Sequence, residues 1–190
     1  MIRRAMMLTL AALALVPLVG CNKAADESDA TATEPGAATL TAAIGGAPGM
    51  STVAAALKST GLATVFDGTA PYTVLVPQDD AFGALGEAGA KLKAPENGAA
   101  MAAVLKAHVL PGYMTVADIG AALTRAQGKP VRMTTMAGSV VTLTRSGEAI
   151  AVTAADGSTA KVSGSELTAG NGVAIPVDAV LKKIPPTSAG

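Results

Sequence analysis

One histidine, one cysteine and a few carboxylates are all that this 190-residue chain offers to chemistry. His108 is the only imidazole, so any Ser-His-Asp or Cys-His scheme must run through it. The sequence holds no Gly-x-Ser-x-Gly elbow to present a serine, and Cys21 stands in a polar N-terminal stretch. Met101, Val104, Leu105 and His108 recur at i, i+3, i+4 and i+7, which puts the imidazole on the apolar face of a helix. That spacing favours a buried histidine held by hydrogen bonds; a hydrolase using His108 is the minor alternative. Asp79 and Asp80 form an acid pair, but adjacent carboxylates after a strand and a proline suit a helix N-terminus, where they cap orphan N–H groups. Asp178 lies in a strand-like apolar block and reads as structural. A calcium-type Asp-x-Asp-x-Asp-Gly loop and a phosphate-cradling glycine loop are both missing, and one thiol is no metal cluster. No metal and no cofactor are expected.

The elements that must position these residues read as helices first, then strands. Ser51 can cap a helix whose Val53, Ala56 and Leu57 share a face, and Gly61 ends it. Leu62, Val65 and Phe66 continue the apolar contacts. Val74-Leu75-Val76 is a buried strand; Pro77 cannot donate to a ladder, so the strand ends there or reaches an edge. Phe82, one of two phenylalanines, is expected to anchor the following turn in the core. Pro95 opens the next helix, which carries His108 into the Pro111-Gly112 stop. Thr115 caps a short helix through Leu123. After Gln127-Gly128 the period switches to two, and residues 131–134, 140–144, 150–153 and 160–163 read as antiparallel strands. Their turns are Ala137-Gly138, Ser146-Gly147 and Asp156-Gly157. Residues 173–181 return as a last strand, and no internal repeat is visible.

Three blocks in this order resemble the fasciclin (FAS1) domain. The first runs Thr73-Val74-Leu75-Val76-Pro77-Gln78-Asp79-Asp80-Ala81-Phe82, the second His108-Val109-Leu110-Pro111-Gly112, and the third Asn171-Gly172-Val173 through Asp178 to Leu181. Gln78 stands where the family usually has Thr, and Ile175-Pro176 where it often has His. The resemblance covers residues 40–185. It implies an α+β fold, a single FAS1-like domain with N-terminal helices packed against an antiparallel β-sheet wedge or sandwich. It also implies a non-enzymatic adhesion or binding module. An acid-plus-aliphatic pair before the third block serves adhesion in some members; here that pair is Glu166-Leu167, the candidate binding residues. Some members bind carotenoids, so the alternative is a carrier of a small apolar ligand in a groove lined by Met101, Met114, Met133 or Met136.

The N-terminus supplies an address. Arg3 and Arg4 precede an apolar stretch over residues 6–19, too short for a comfortable span. Leu18-Val19-Gly20-Cys21 is similar to a bacterial lipobox, with lipidation expected on Cys21. Residues 1–20 are then a lipoprotein signal peptide, 21–39 a disordered tether, 40–185 the domain and 186–190 a C-terminal tail. Asn22 after the cysteine favours the outer membrane in a Gram-negative cell, with the domain in the periplasm or on the cell surface. A flexible tether of this length reaches only about 20–25 Å, which keeps the domain near the membrane.

Composition narrows the partners. Loss of residues 1–20 moves the balance from 14 basic and 14 acidic residues to 12 and 14, a net of −2. A near-neutral chain with no Trp, two Tyr and two Phe offers neither the cationic clusters nor the stacking rings that nucleic acid requires. The expected partners are the membrane, through the lipid anchor, and a protein or polysaccharide of the envelope.

Overall fold

The computed structural model describes residues 38–183. The expected signal peptide over residues 1–20, Cys21, the expected tether up to residue 37, and residues 184–190 with the expected tail lie outside the described residues.

Among the described residues, seven α-helices and eight strands build three layers. Thr39 caps α1 (Leu40–Gly46) by accepting the Ala42 N–H, and Leu40 and Ile44, one turn apart, are its buried face. α2 (Ser51–Ser59) buries Val53, Ala56 and Leu57. Gly61, left-handed at φ 73°, reverses the chain into α3 (Leu62–Phe66). β1 (Tyr72–Pro77) leads to α4 (Asp79–Gly83) and α5 (Glu87–Lys93). Pro95 starts a 3-10 turn that feeds α6 (Gly98–Ala107). β2 (Val109–Pro111) and α7 (Val116–Arg125) follow. The hairpin run is β3 (Val131–Thr134), β4 (Val140–Ser146), β5 (Ala149–Ala154) and β6 (Thr159–Lys161). β7 (Leu167–Ala169) and β8 (Gly172–Val177) close the fold.

One sheet has the order β2-β1-β8-β7, the other β3-β4-β5-β6. Helices α1–α6 cover one face of the first sheet, where Val74, Val76 and Ala174 join Leu57, Phe66 and Phe82 in a common core. Leu75, Val173, Ile175 and Val177 point the other way, into a second core with α7 and the inner face of the β3–β6 sheet. Most of the chain matches the α+β expectation, but β1 and β8 pair in parallel, from Tyr72↔Gly172 to Pro77↔Val177. Both strands are buried on two faces, which is the setting that parallel pairing requires and the reason they read as unbroken apolar runs.

The remaining differences from the sequence reading share a cause. The helix stops at Ala107 with His108 as its C-cap, and Val109–Pro111 becomes β2 because Leu110 and Val109 find Thr73 and Val74 as antiparallel partners. The last strand ends at Val177 rather than Leu181. Pro77 ends β1, as one of the two expected outcomes, and the strand is interior. Pro176 is tolerated inside β8 because β7 stops pairing at Ala174. α1, α5, β7 and β2 were not legible: each is short and gains its stability from distant neighbours.

Candidate functional site

The three sequence blocks, separated by tens of residues, meet at the seam between β1 and β8. Thr73 is fully buried on β1, and its hydroxyl donates to the Gly112 carbonyl at 2.9 Å and accepts the Met114 N–H at 2.9 Å. Gly112 is left-handed at φ 101°, and its N–H donates to the Pro71 carbonyl. The Pro111-Gly112 stop is thereby clamped onto the start of β1, and a residue with a Cβ would be strained there.

His108 caps the C-terminus of α6 with no exposed surface. Its Nδ1 lies 2.8 Å from the Val104 carbonyl, which can only accept, so Nδ1 carries the proton. Nε2 then accepts the Leu181 N–H at 2.8 Å. Burial disfavours the charged ring more than the Val104 carbonyl favours it, and the pKa falls to about 4. Both nitrogens are occupied by backbone groups, so the imidazole fastens α6 to the end of the third block. In this geometry it has no lone pair or proton to offer a substrate, which argues against the hydrolase alternative.

Asn171 and Gly172 hold the far side of the seam. The Asn171 carbonyl oxygen accepts the Leu40 N–H at 2.8 Å, and its amide donates to the Phe66 carbonyl at 2.6 Å and the Gly68 carbonyl at 3.1 Å. One side chain thus joins α1, α3 and β8. An added Cβ on Gly172 would collide with the Tyr72 carbonyl and with Leu40, so only glycine permits this approach.

The acids play parts that sequence assigned only in outline. Asp79 does not cap its own helix α4. Its carboxylate accepts from the Ser51 hydroxyl and N–H at 2.8 and 3.2 Å and from the Thr52 N–H at 2.8 Å, so it caps α2 from 28 residues away. Ser51 is accordingly the first helical residue rather than the cap, and Met50 before it offers no side-chain bond. Burial works against the Asp79 charge, but the bonds from Thr52 and Ser51 outweigh it and hold the carboxyl below its usual range. Asp80 is exposed in the first turn of α4, and Phe82 is buried in the helical core as expected. Asp178 is exposed and pairs with β6: its Oδ1 accepts the Lys161 N–H at 2.7 Å.

Glu166 and Leu167, the candidate binding pair, are both tied into the fold. Glu166 is half-buried, and its Oε2 accepts the Val116 N–H at 2.5 Å, supplementing the Thr115–Asp118 capping box of α7. Leu167 is half-buried against the helical core and pairs with Ala174. A groove of about 600 Å³ opens between α2, α5 and α6, lined among others by Ala55, Ala56, Leu92 and Met101, with Lys93 at its rim. Of the four methionines expected to line a groove, only Met101 lines this one, while Met133 lines a smaller depression on the β3–β4 hairpin. Met114 and Met133 pack on the second core, and Met136 packs on the helical core. Among the described residues there is no cluster of three metal-ligating side chains, and no buried side-chain polar atom lacks a partner. No helix among them is long and apolar enough to cross a membrane. The Asn171 bridge and the cross-helix cap were missed by sequence reasoning; a polar residue beside an apolar block was the available signal for Asn171.

A buried polar seam between two interior parallel strands, with helices on one face and a hairpin sheet on the other, defines a structural class before any comparison. The Fasciclin domain model matches residues 48–183, and the chain belongs to that family. Protein sll1483 of Synechocystis sp. is 32% identical over 142 residues, 72% of this chain and 67% of that protein. The fold is similar to the FAS1 domain pair of the insect cell adhesion molecule Fasciclin I, with a TM-score of 0.66 and 16% identity. That match covers 76% of this chain and 51% of the other, so the chain spans about half the length of the pair. Fasciclin domains typically serve as adhesion or binding modules and are generally non-enzymatic.

Proposed function

We propose that this protein is an extracytoplasmic binding module, anchored to a membrane through lipid on Cys21 and without catalytic activity. The observation that carries the reading is the use of His108, the only histidine, as a buried clamp inside a fasciclin fold. Adhesion then falls to the surface rather than to a reactive centre. The lipobox-like Leu18-Val19-Gly20-Cys21 supports the anchor, with the outer membrane favoured in a Gram-negative cell. The test is sedimentation of the full chain with envelope fractions, with capture and mass spectrometry of what it holds. Retention by a protein or polysaccharide fraction is the expected result. Turnover of an ester or glycoside substrate that disappears in His108→Ala while the variant stays folded would overturn it. Labelling with radioactive palmitate should vanish in Cys21→Ala.

A second reading, carriage of a small apolar ligand, is favoured by the groove beside Met101. Lipid or pigment extracted from the purified protein would support it.

A further inference from the structure

The outer face of the β3–β6 sheet differs in kind from its inner face. Residues directly opposite in antiparallel strands share a face. The row Val131–Leu143–Val152–Ala160 therefore turns inward with the second core. The adjacent row, Arg132–Thr142–Thr153–Thr159, crosses all four strands on the opposite side. In the next row Thr144, Ala151 and Lys161 stand side by side. Arg132, Thr159 and Lys161 are exposed, and none of these outward residues belongs to either core. No carboxylate and no aromatic ring occupies an outward strand position. Three acids border this face: Glu148 and Asp156 lie in the turns, where Asp156 is held by Ser158 and the Lys183 N–H, and exposed Asp178 spends its Oδ1 on the Lys161 N–H at the β6 edge. A shallow depression of about 320 Å³, lined in part by Arg132, Thr134 and Thr142, opens on this side.

We infer that this face docks an acidic polysaccharide, an inference that rests on the adhesion reading and names its partner class. Three strand spacings, about 14 Å, separate Arg132 from Thr159 across the row, which a short run of sugar units would cover. Threonine hydroxyls both donate and accept, as sugar hydroxyls do. Arg132 presents a fork suited to a carboxylate or sulfate, and Lys161 places a second cation at the other edge. The charge of the face is thus complementary to a polyanion. Two cations over this distance, with no ring for stacking, suit a glycan with about one charge per sugar unit better than duplex DNA, which carries about one charge per 1.7 Å.

The test is binding of the full chain to polygalacturonate at low and raised salt, beside neutral dextran and duplex DNA. Polygalacturonate should be retained, dextran should not, and salt should weaken retention. Removing one exposed cation should weaken binding up to about fivefold, and Arg132→Ala with Lys161→Ala about tenfold or more, with an unchanged melting temperature. Arg132→Gln serves in place of the double variant if that one misfolds, and should also weaken binding. Absence of retention at low salt, retention unaffected by these substitutions, or tighter binding of duplex DNA would each overturn the inference. If the parent sediments with envelope material and the double variant does so equally, this inference fails while the adhesion reading stands. If the parent sediments with no envelope fraction, the reading itself fails.

Discussion

The β2-β1-β8-β7 sheet is covered on both faces, whereas the β3-β4-β5-β6 sheet buries one face and leaves the other open. The first is assembled from segments far apart in sequence: the Asn171 side chain reaches Leu40, and His108 reaches Leu181. The second is a run of hairpins whose partners are sequence neighbours. The polar groups of β1 and β8, the two central strands, are removed from water, so each must keep its partner. Polar groups on the outer face of the second sheet keep access to water. The contrast separates a seam that fixes the fold from a surface free to vary and to bind.

That contrast can be broken most sharply at Gly172. Gly172→Ala forces the new methyl against the Tyr72 carbonyl and Leu40, and should cost about 4 kcal/mol or prevent folding. Urea unfolding of the variant measures this; a midpoint close to the parent's would mean that the seam is plastic. His108→Ala comes next. It leaves the Leu181 N–H and the Val104 carbonyl without the ring and opens a cavity, for a loss of about 3 kcal/mol. The same residue sets a pH dependence. Its folded pKa of about 4 lies below the ordinary value of 6.5, so the unfolded chain takes up a proton first. The neutral clamp is fully stabilising above pH 6.5 and weakens as pH falls towards 4, by on the order of 3 kcal/mol in all. Denaturation curves at pH 7.5 and 4.5 should differ in the parent and converge in His108→Ala, apart from carboxylate effects common to both.

Glu166 sharpens the comparison, because it links the chain just before β7 to α7, which packs on the second core. Glu166→Ala removes a helix cap and should cost about 1 kcal/mol. A change near zero would return Glu166 to the role of a free surface acid. The smallest effect is expected on the open face: Thr153→Val exchanges a half-buried hydroxyl for a methyl in a good strand former and should shift stability by about 0.5 kcal/mol or less. A large loss there would show that the outer face is structural after all.

Legibility followed the same division. The strands read over 131–134, 140–144 and 150–153 fall within β3, β4 and β5, because alternation and glycine turns are local signals. Thr115 announced its helix because a capping box lies within four residues. The burial of His108 was readable from helical spacing, but its acceptance of the Leu181 N–H, 73 residues on, was not. Asp79 looked like a cap and is one; that it caps α2 could not be read locally, since the choice of helix depends on tertiary packing.

Sequence alone determined the family, through three blocks of apolar residues punctuated by Thr73, His108, Gly112, Asn171 and Gly172, and it determined which helix bears the sole imidazole. Those signals survive without a structure because periodicity, proline, glycine and cap residues act over one or two turns of chain. Only the tertiary structure decided that β1 and β8 run parallel, that Glu166 is tied to the start of α7, and that the threonines of β4, β5 and β6 form one row. Each of those facts depends on which distant segments become neighbours. That is settled by the burial of both cores at once, which no short window of sequence contains.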